Sequence, residues 1–513
     1  MYRLVRFVGA LAVVAAAGRE SRAGAPDATE LAALIDRHID AKLAAERLSP
    51  AVPADDAEFL RRVHLDLHGT IPTAEQAAKF LADTDPQRRE KLIDALLASS
   101  RYGEHLADIW QGYLVSPLAD DQRARADKFR GWLAERFNTK SWDTIATELL
   151  TATGKLEDNP AVIYLIEGRL PRTVPDLTDL ASRYFLGVRL NCAQCHDHPF
   201  AKWKQQDYWG VAAFFTQVQT PGKPKQVYNI GLKDDPALTL AALKDGAPDG
   251  FIPRPPTFLG GEEFKAGKGT TNRAAFAGWL TQPKNPYFAK AMANRTWWRL
   301  FGRGLVNPVD DMHAANESSH PELLAALAGT FAESGFDLKL LTRAVVLSRA
   351  YQRTSRPGDA PAKQAELFGR MSVKVLSAGQ LYDSLVTVFG APAKAPGVDP
   401  RQSARAEFAQ FFGDDGAPDP TAYRRGIPHL LRQMNSGQFA GRSTAALVAR
   451  VAKPGRTADD VAADLFVTFL SREPTADELK SVRAHVAKAD SAATAHRELA
   501  WALMMTSEFS LNH

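Results

Sequence analysis

Apolar residues recur every three to four positions along most of this chain, a spacing that admits little besides α-helix. "ELAALIDRHIDAKLA" sets Leu31, Leu34, Ile35, His38 and Ile39 on one helical face. "TAEQAAKFLAD" follows Pro72 and pairs Thr73 with Gln76, the pattern of a capping box. "KLIDALLASSRYGEHLADIWQGYL" carries Leu92, Leu96, Tyr102, Leu106, Ile109 and Tyr113, which predicts two helices broken near Ser100. "PDLTDLASRYFLG" predicts a helix with Asp176 near its start and Gly187 at its end. "DYWGVAAFFTQV" predicts another helix. The expected class is mainly α, in two or three helical domains, because 513 residues exceed one ordinary core.

From Thr220 to Pro256 the periodicity gives way to Pro, Gly and Lys. This stretch is expected to be a connection with room for a short β hairpin around Val227 to Leu232. The expected organisation is a leader at 1–23, a helical domain at 27–219, a connection at 220–256 and a C-terminal helical domain at 257–513. A further boundary is indicated near 356–363. The leader rests on Arg3 and Arg6, an apolar run from Phe7 to Gly18, and small residues around Ala23. The run is too short to cross a bilayer, and no later stretch is long and apolar enough. Export to the periplasm or cell envelope is expected, with no integral span in the mature chain. A net charge of +4 is too mild for a dedicated nucleic-acid binder.

Export makes the compartment oxidising, which gives weight to the only two cysteines. "NCAQCHDHPF" places Cys192 and Cys195 three residues apart with His196 directly after. C-x-x-C-H is the attachment spacing of c-type haem. Two thiols so placed reach both vinyl groups of one porphyrin, and the histidine becomes the proximal iron ligand. Phe200, Trp203, Tyr208, Trp209, Phe214 and Phe215 follow and are expected to wall a porphyrin or to fill the core. Three other uses stay open. The pair could be a redox dithiol, a disulfide stapling a turn, or part of a zinc site drawing also on His196 and His198. His198 suits a hydrogen bond behind the ligand better than ligation. Candidates for the sixth iron position are Met312, His313, His320, His105, His64 and His68.

Several long motifs resemble a known group. "FLRRVHLDLHGTIPT", "RYGEHLADIW" and "GVRLNCAQCHDHPFAKWKQQDYWGVAAFF" are similar to the N-terminal domain of exported proteins abundant in planctomycetes, a domain classed as cytochrome-c-like. "PPTFLGGEE", "NPYFAKAMANRTWWRLFGRGLVNPVDDMHAANESSHPELL", "LLTRAVVLSRAYQRTS" and "WALMMTSEFSLNH" resemble its usual C-terminal partner. Both domains are catalogued as of unknown function. The resemblance implies Cys192 and Cys195 as attachment points and His196 as proximal ligand, and it supplies no catalytic residue. Relatives often carry an extra cytochrome domain at the N-terminus; none is expected here, which leaves a redox partner in trans.

Other motifs carry less. "GGEEFKAGKGTT" lacks the spacing of a phosphate-binding loop, and neither H-E-x-x-H nor G-x-S-x-G occurs. Asp310 and Asp311 suit a turn or cap. In "NRTWWRLFGRG", Trp297, Trp298 and Phe301 are expected in the core and Arg295, Arg299 and Arg303 in ion pairs. The expectation is an exported mono-haem c-type protein that moves electrons or senses redox state, possession of one covalent haem c being its premise. The alternatives are a non-redox envelope scaffold or binding protein with a Cys192–Cys195 disulfide, and a haem enzyme with an open distal site.

Overall fold

A computed structural model describes residues 27–115, 123–167, 170–219, 231–240, 253–265, 269–356, 358–359, 361–390, 404–409 and 442–513. The leader at 1–23 lies outside these residues, as does most of the 220–256 connection. The architecture is mainly helical, with small two-stranded pairings as the only sheets among the described residues.

Helix boundaries follow local chemistry. Thr73 and Gln76 form the expected capping box at the start of Ala74–Ala82. Arg88–Ala98 and Ser100–Leu114 meet at Ser99, whose side chain accepts from the Arg101 N–H. Thr457 with Asp460 and Thr475 with Glu478 repeat the device in the C-terminal part. Val218–Gln219 pairs antiparallel with Lys233–Asp234. The expected hairpin at Val227 to Leu232 falls mostly outside the described residues; Leu232 itself bridges to Gly154.

Two hydrophobic cores form among the described residues. The larger draws on residues from Ala28 to Met371, together with Val467. Its centre is aromatic: Trp142 stacks on Phe288 with centroids 6.1 Å apart and meets Trp110 at 4.5 Å. The smaller core joins helices Ala378–Phe389, Arg442–Val451, Ala458–Leu470 and Ala492–Met504. Helix Asp56–His68 lies between them, giving Phe59, Leu60, Val63 and Leu67 to the first core and Leu65 to the second.

That helix is buried from Glu58 to Leu67, charges included. Such burial stands only if every charge is paired. Arg61 donates to the carbonyls of Phe469, Glu508 and Phe509. Arg62 pairs with Glu58 and donates to the carbonyls of Tyr351, Arg353 and His513. Asp66 accepts from Tyr351 Oη, Lys374 Nζ and Asn512 Nδ2. Strand Lys374–Val375 pairs with Leu511–Asn512 beside it. The segment "RRVHLD" thus ties residues 508–513 to both cores.

Candidate functional site

The site is built where "NCAQCHDHPF" meets "NPVDDMH". Helix Val174–Ala181 starts at the Thr173–Asp176 capping box and runs into a π-helical turn, Ser182–Leu186. Gly187 ends it with φ 68°, a conformation that disfavours a side chain. A Cβ there would stand 2.2 Å from Met312 Cε and 3.0 Å from Ala291 Cβ. The Gly187 carbonyl accepts from the Met312 N–H at 3.0 Å, which locks the two motif loops together. Gly187→Ala is therefore expected to cost about 2 kcal/mol or more, from the left-handed backbone and the crowding together. Equilibrium unfolding in urea checks this.

Beyond Leu190 the chain makes a 3₁₀ turn, Asn191–Gln194. Ala193 is buried and plugs the turn onto the core, while Cys192 and Cys195 are exposed and unpaired. The Gln194 carbonyl accepts from Trp209 Nε1 at 3.0 Å, and the Cys195 carbonyl accepts from Gln205 Nε2 at 3.1 Å. Helix Gln205–Ala212 therefore fixes the turn through its backbone and leaves both thiols outside. Asp197 holds the exit: its carboxylate accepts from the Gln205 N–H and from Lys204 Nζ, which lowers its pKa.

The two histidines of the motif are held differently. His196 Nδ1 lies 2.8 Å from the Asp197 carbonyl. A carbonyl only accepts, so Nδ1 carries the proton and Nε2 keeps a free lone pair. His198 Nδ1 accepts from the Phe200 and Ala201 N–H groups, so its proton sits on Nε2. His198 faces His313 with ring centroids 6.1 Å apart, and burial, then His313, pushes its pKa down. His313 Nε2 in turn lies 3.7 Å from Asp311.

Behind this seam Asp310 is buried between Arg183 and Arg295. The Arg295 guanidinium sits over the rings of Trp110, Tyr113 and Tyr184, with centroid distances of 5.7, 5.2 and 4.9 Å. Asp310 is thus a structural anchor that sets where Asp311, Met312 and His313 stand.

These placements overturn the haem expectation. Trp203, Tyr208, Trp209, Phe214 and Phe215 are buried within the core, and Phe200 stands 78% exposed, so they do not wall a porphyrin beside the thiols. Among the described residues no group of three or more His, Cys, Asp or Glu side chains is placed to hold a metal ion. Cys192, Cys195 and His196 are an exposed surface turn, and one covalent haem c, an iron ligand role for His196 and a cytochrome function do not fit it. The haem-enzyme alternative falls with them. The stapling disulfide is corrected too, since both cysteines are free. Of the distal candidates, the Met312–His313 loop does come to the motif, but His313 meets His198 and not His196. His64 and His68 pack edge to face, His105 lies against Gly69, and His320 lies on Phe368.

The ion-pair expectation for the "NRTWWRLFGRG" arginines holds for Arg295, whereas Arg299 donates to the Asp66 carbonyl and Arg303 has no partner among the described residues. No helix among the described residues is long and apolar enough to cross a membrane. Residues 34–220 match the PSCyt2 family, described as a protein of unknown function (DUF1549), and residues 272–439 match PSD1, described likewise (DUF1553). The two domains are present as a pair. No curated protein and no solved structure matches the chain.

Proposed function

We propose that the Cys192–Cys195 turn is a thiol–disulfide exchange site acting on disulfides of partner molecules. The observation that carries this reading is that both thiols are exposed and unpaired, Cys192 within the 3₁₀ turn Asn191–Gln194 and Cys195 at its C-cap. In that geometry side chains three apart eclipse, and a rise of about 2 Å per residue spaces their Cα atoms by about 6 Å. A disulfide closes over Cα separations of about 4.4–6.8 Å. The free and the oxidised pair therefore fit nearly the same backbone.

The exchange balances without a cofactor. One cysteine thiolate attacks a sulfur of the partner's disulfide, whose S–S bond breaks and releases one half as a thiolate. The second cysteine attacks the mixed disulfide, forms the Cys192–Cys195 bond and releases the other half as a thiol. Two electrons pass from the pair to the partner. The His196 Nε2 lone pair, left free by the Asp197 carbonyl, is a nearby acceptor for a thiol proton. If the leader directs export, the site works in a compartment where disulfides persist.

The test is equilibration in glutathione buffers, followed by alkylation of the remaining thiols. A single two-electron step at a potential between about −270 and −120 mV, the span of exchange dithiols, supports the reading. Cys195→Ser and Cys192→Ser should each accumulate mixed disulfide with glutathione, and one of them should do so much faster. A pair that stays reduced across that span, or thiols no more reactive than those of the unfolded chain, overturns it.

A further inference from the structure

A cleft of about 770 Å³ opens between the loop after Gly187, the end of helix Phe288–Phe301 and the segment that leads into strand Lys374–Val375. Its size is within the range that takes a small organic ligand. Each of the three segments brings one arginine to it: Arg189, Arg303 and Arg370. None of the three has a hydrogen bond or ion pair among the described residues. Elsewhere the arginines of the motif loops are committed, Arg183 and Arg295 to Asp310 among them.

Among the described residues Glu366 is the only carboxylate lining the cleft, and that lining carries a surplus of two positive charges. Gathering three guanidinium groups around one concavity without matching carboxylates is unfavourable unless an anion joins them. Guanidinium is the group that binds oxyanions bidentately, through a planar fork of donors. The remaining wall is mixed. Trp298 and Met371 supply apolar surface, and Asn307 supplies an amide. The ligand therefore has a body to pack as well as charge to neutralise.

We infer that this cleft binds a small organic molecule carrying at least two oxyanion groups, held by Arg189, Arg303 and Arg370 with Trp298 against its body. The shared chemistry is the oxyanion; phosphoryl and carboxylate are its two possible sources. This site is independent of the thiol exchange proposed above.

Calorimetric titration at constant ionic strength tests it. The probes are orthophosphate, pyrophosphate, acetate and citrate. The expected result is saturable one-to-one binding, at least tenfold tighter for pyrophosphate than for orthophosphate or for citrate than for acetate. Whichever gap is larger identifies the source. Arg303→Gln and Arg370→Gln should each weaken the preferred probe by at least tenfold, and Glu366→Gln should tighten it two- to threefold. Arg303 and Glu366 are exposed and Arg370 is half-buried, and thermal melts check that all three variants keep the fold. Cys192→Ser/Cys195→Ser should leave binding unchanged. No saturable binding of any probe, or binding that survives both arginine variants, overturns the inference. Equal affinity for singly and multiply charged probes overturns the requirement for two oxyanions.

Discussion

Replacing Arg62 with methionine is expected to lower the unfolding free energy by about 3 to 5 kcal/mol, the usual consequence of leaving a buried charge without its partner. Glu58 and Arg62 are one helical turn apart, and neither side chain is more than 1% exposed. Glu58 also accepts from Thr354 Oγ1 and from the Ser355 N–H and hydroxyl. Without Arg62 its carboxylate keeps only the long contact to the exposed Arg356, 3.9 Å away, and the carbonyls of Tyr351, Arg353 and His513 lose a common donor. The double variant Glu58→Gln/Arg62→Met should recover part of the loss, because no net charge remains buried. Urea midpoints of the single and double variants check both statements. A cost below about 1 kcal/mol for Arg62→Met would contradict the network.

The second large effect is a steep loss of stability on acidification. Burial lowers the pKa of His64 and of His105 to about 3, and that of His320 to about 4. Each folded-state value lies below the 6.5 of the unfolded chain. Below pH 6.5 the unfolded chain therefore takes up protons that the folded chain refuses. Stability from these groups is full above pH 6.5 and falls as the pH drops towards 3 to 4. Each histidine adds a slope of up to about 1.4 kcal/mol per pH unit, or about 4 for the three. Asp179 opposes them. Burial raises its pKa to about 6, so the folded chain gains stability as the pH falls from 6 towards 3.8. The expected net slope from these four groups is about 2.5 to 3 kcal/mol per pH unit around pH 5. His105→Leu should reduce the slope by about one histidine's share, up to about 1.4 kcal/mol per pH unit. Urea unfolding at pH 7, 6 and 5 measures it, and a flat profile would show that these imidazoles do titrate in the folded protein.

The helices were legible in the sequence because their apolar stripes and caps are local. The break between Leu92 and Tyr113 and the Thr73–Gln76 box need only neighbours within one turn. The buried charges were not legible. Two adjacent arginines at 61 and 62 suggest a solvated face, and only partners some 290 to 450 positions away bury them. The cysteine turn was found for its spacing, yet spacing says nothing of what stands beside it. A haem site needs an apolar wall, and the aromatic residues that could build one, Phe200 excepted, turn inward to fill the core. Met312 and His313 were singled out, and their loop does reach the motif, but through Gly187 and His198. Arg189, Arg303 and Arg370 lie too far apart in the chain for any pattern to join them. The lack of an acidic residue at helical spacing around Arg303 was the one available signal.

The proposed exchange requires that Cys192 and Cys195 be free thiols and not points of haem attachment. The most direct measurement is the intact mass of the folded protein, before and after alkylation, following production in a host competent to attach haem c. The expected mass is that of the polypeptide alone, with two alkylations in reduced protein and none after mild oxidation. A covalent addition of haem size that disappears in Cys192→Ala/Cys195→Ala would contradict it.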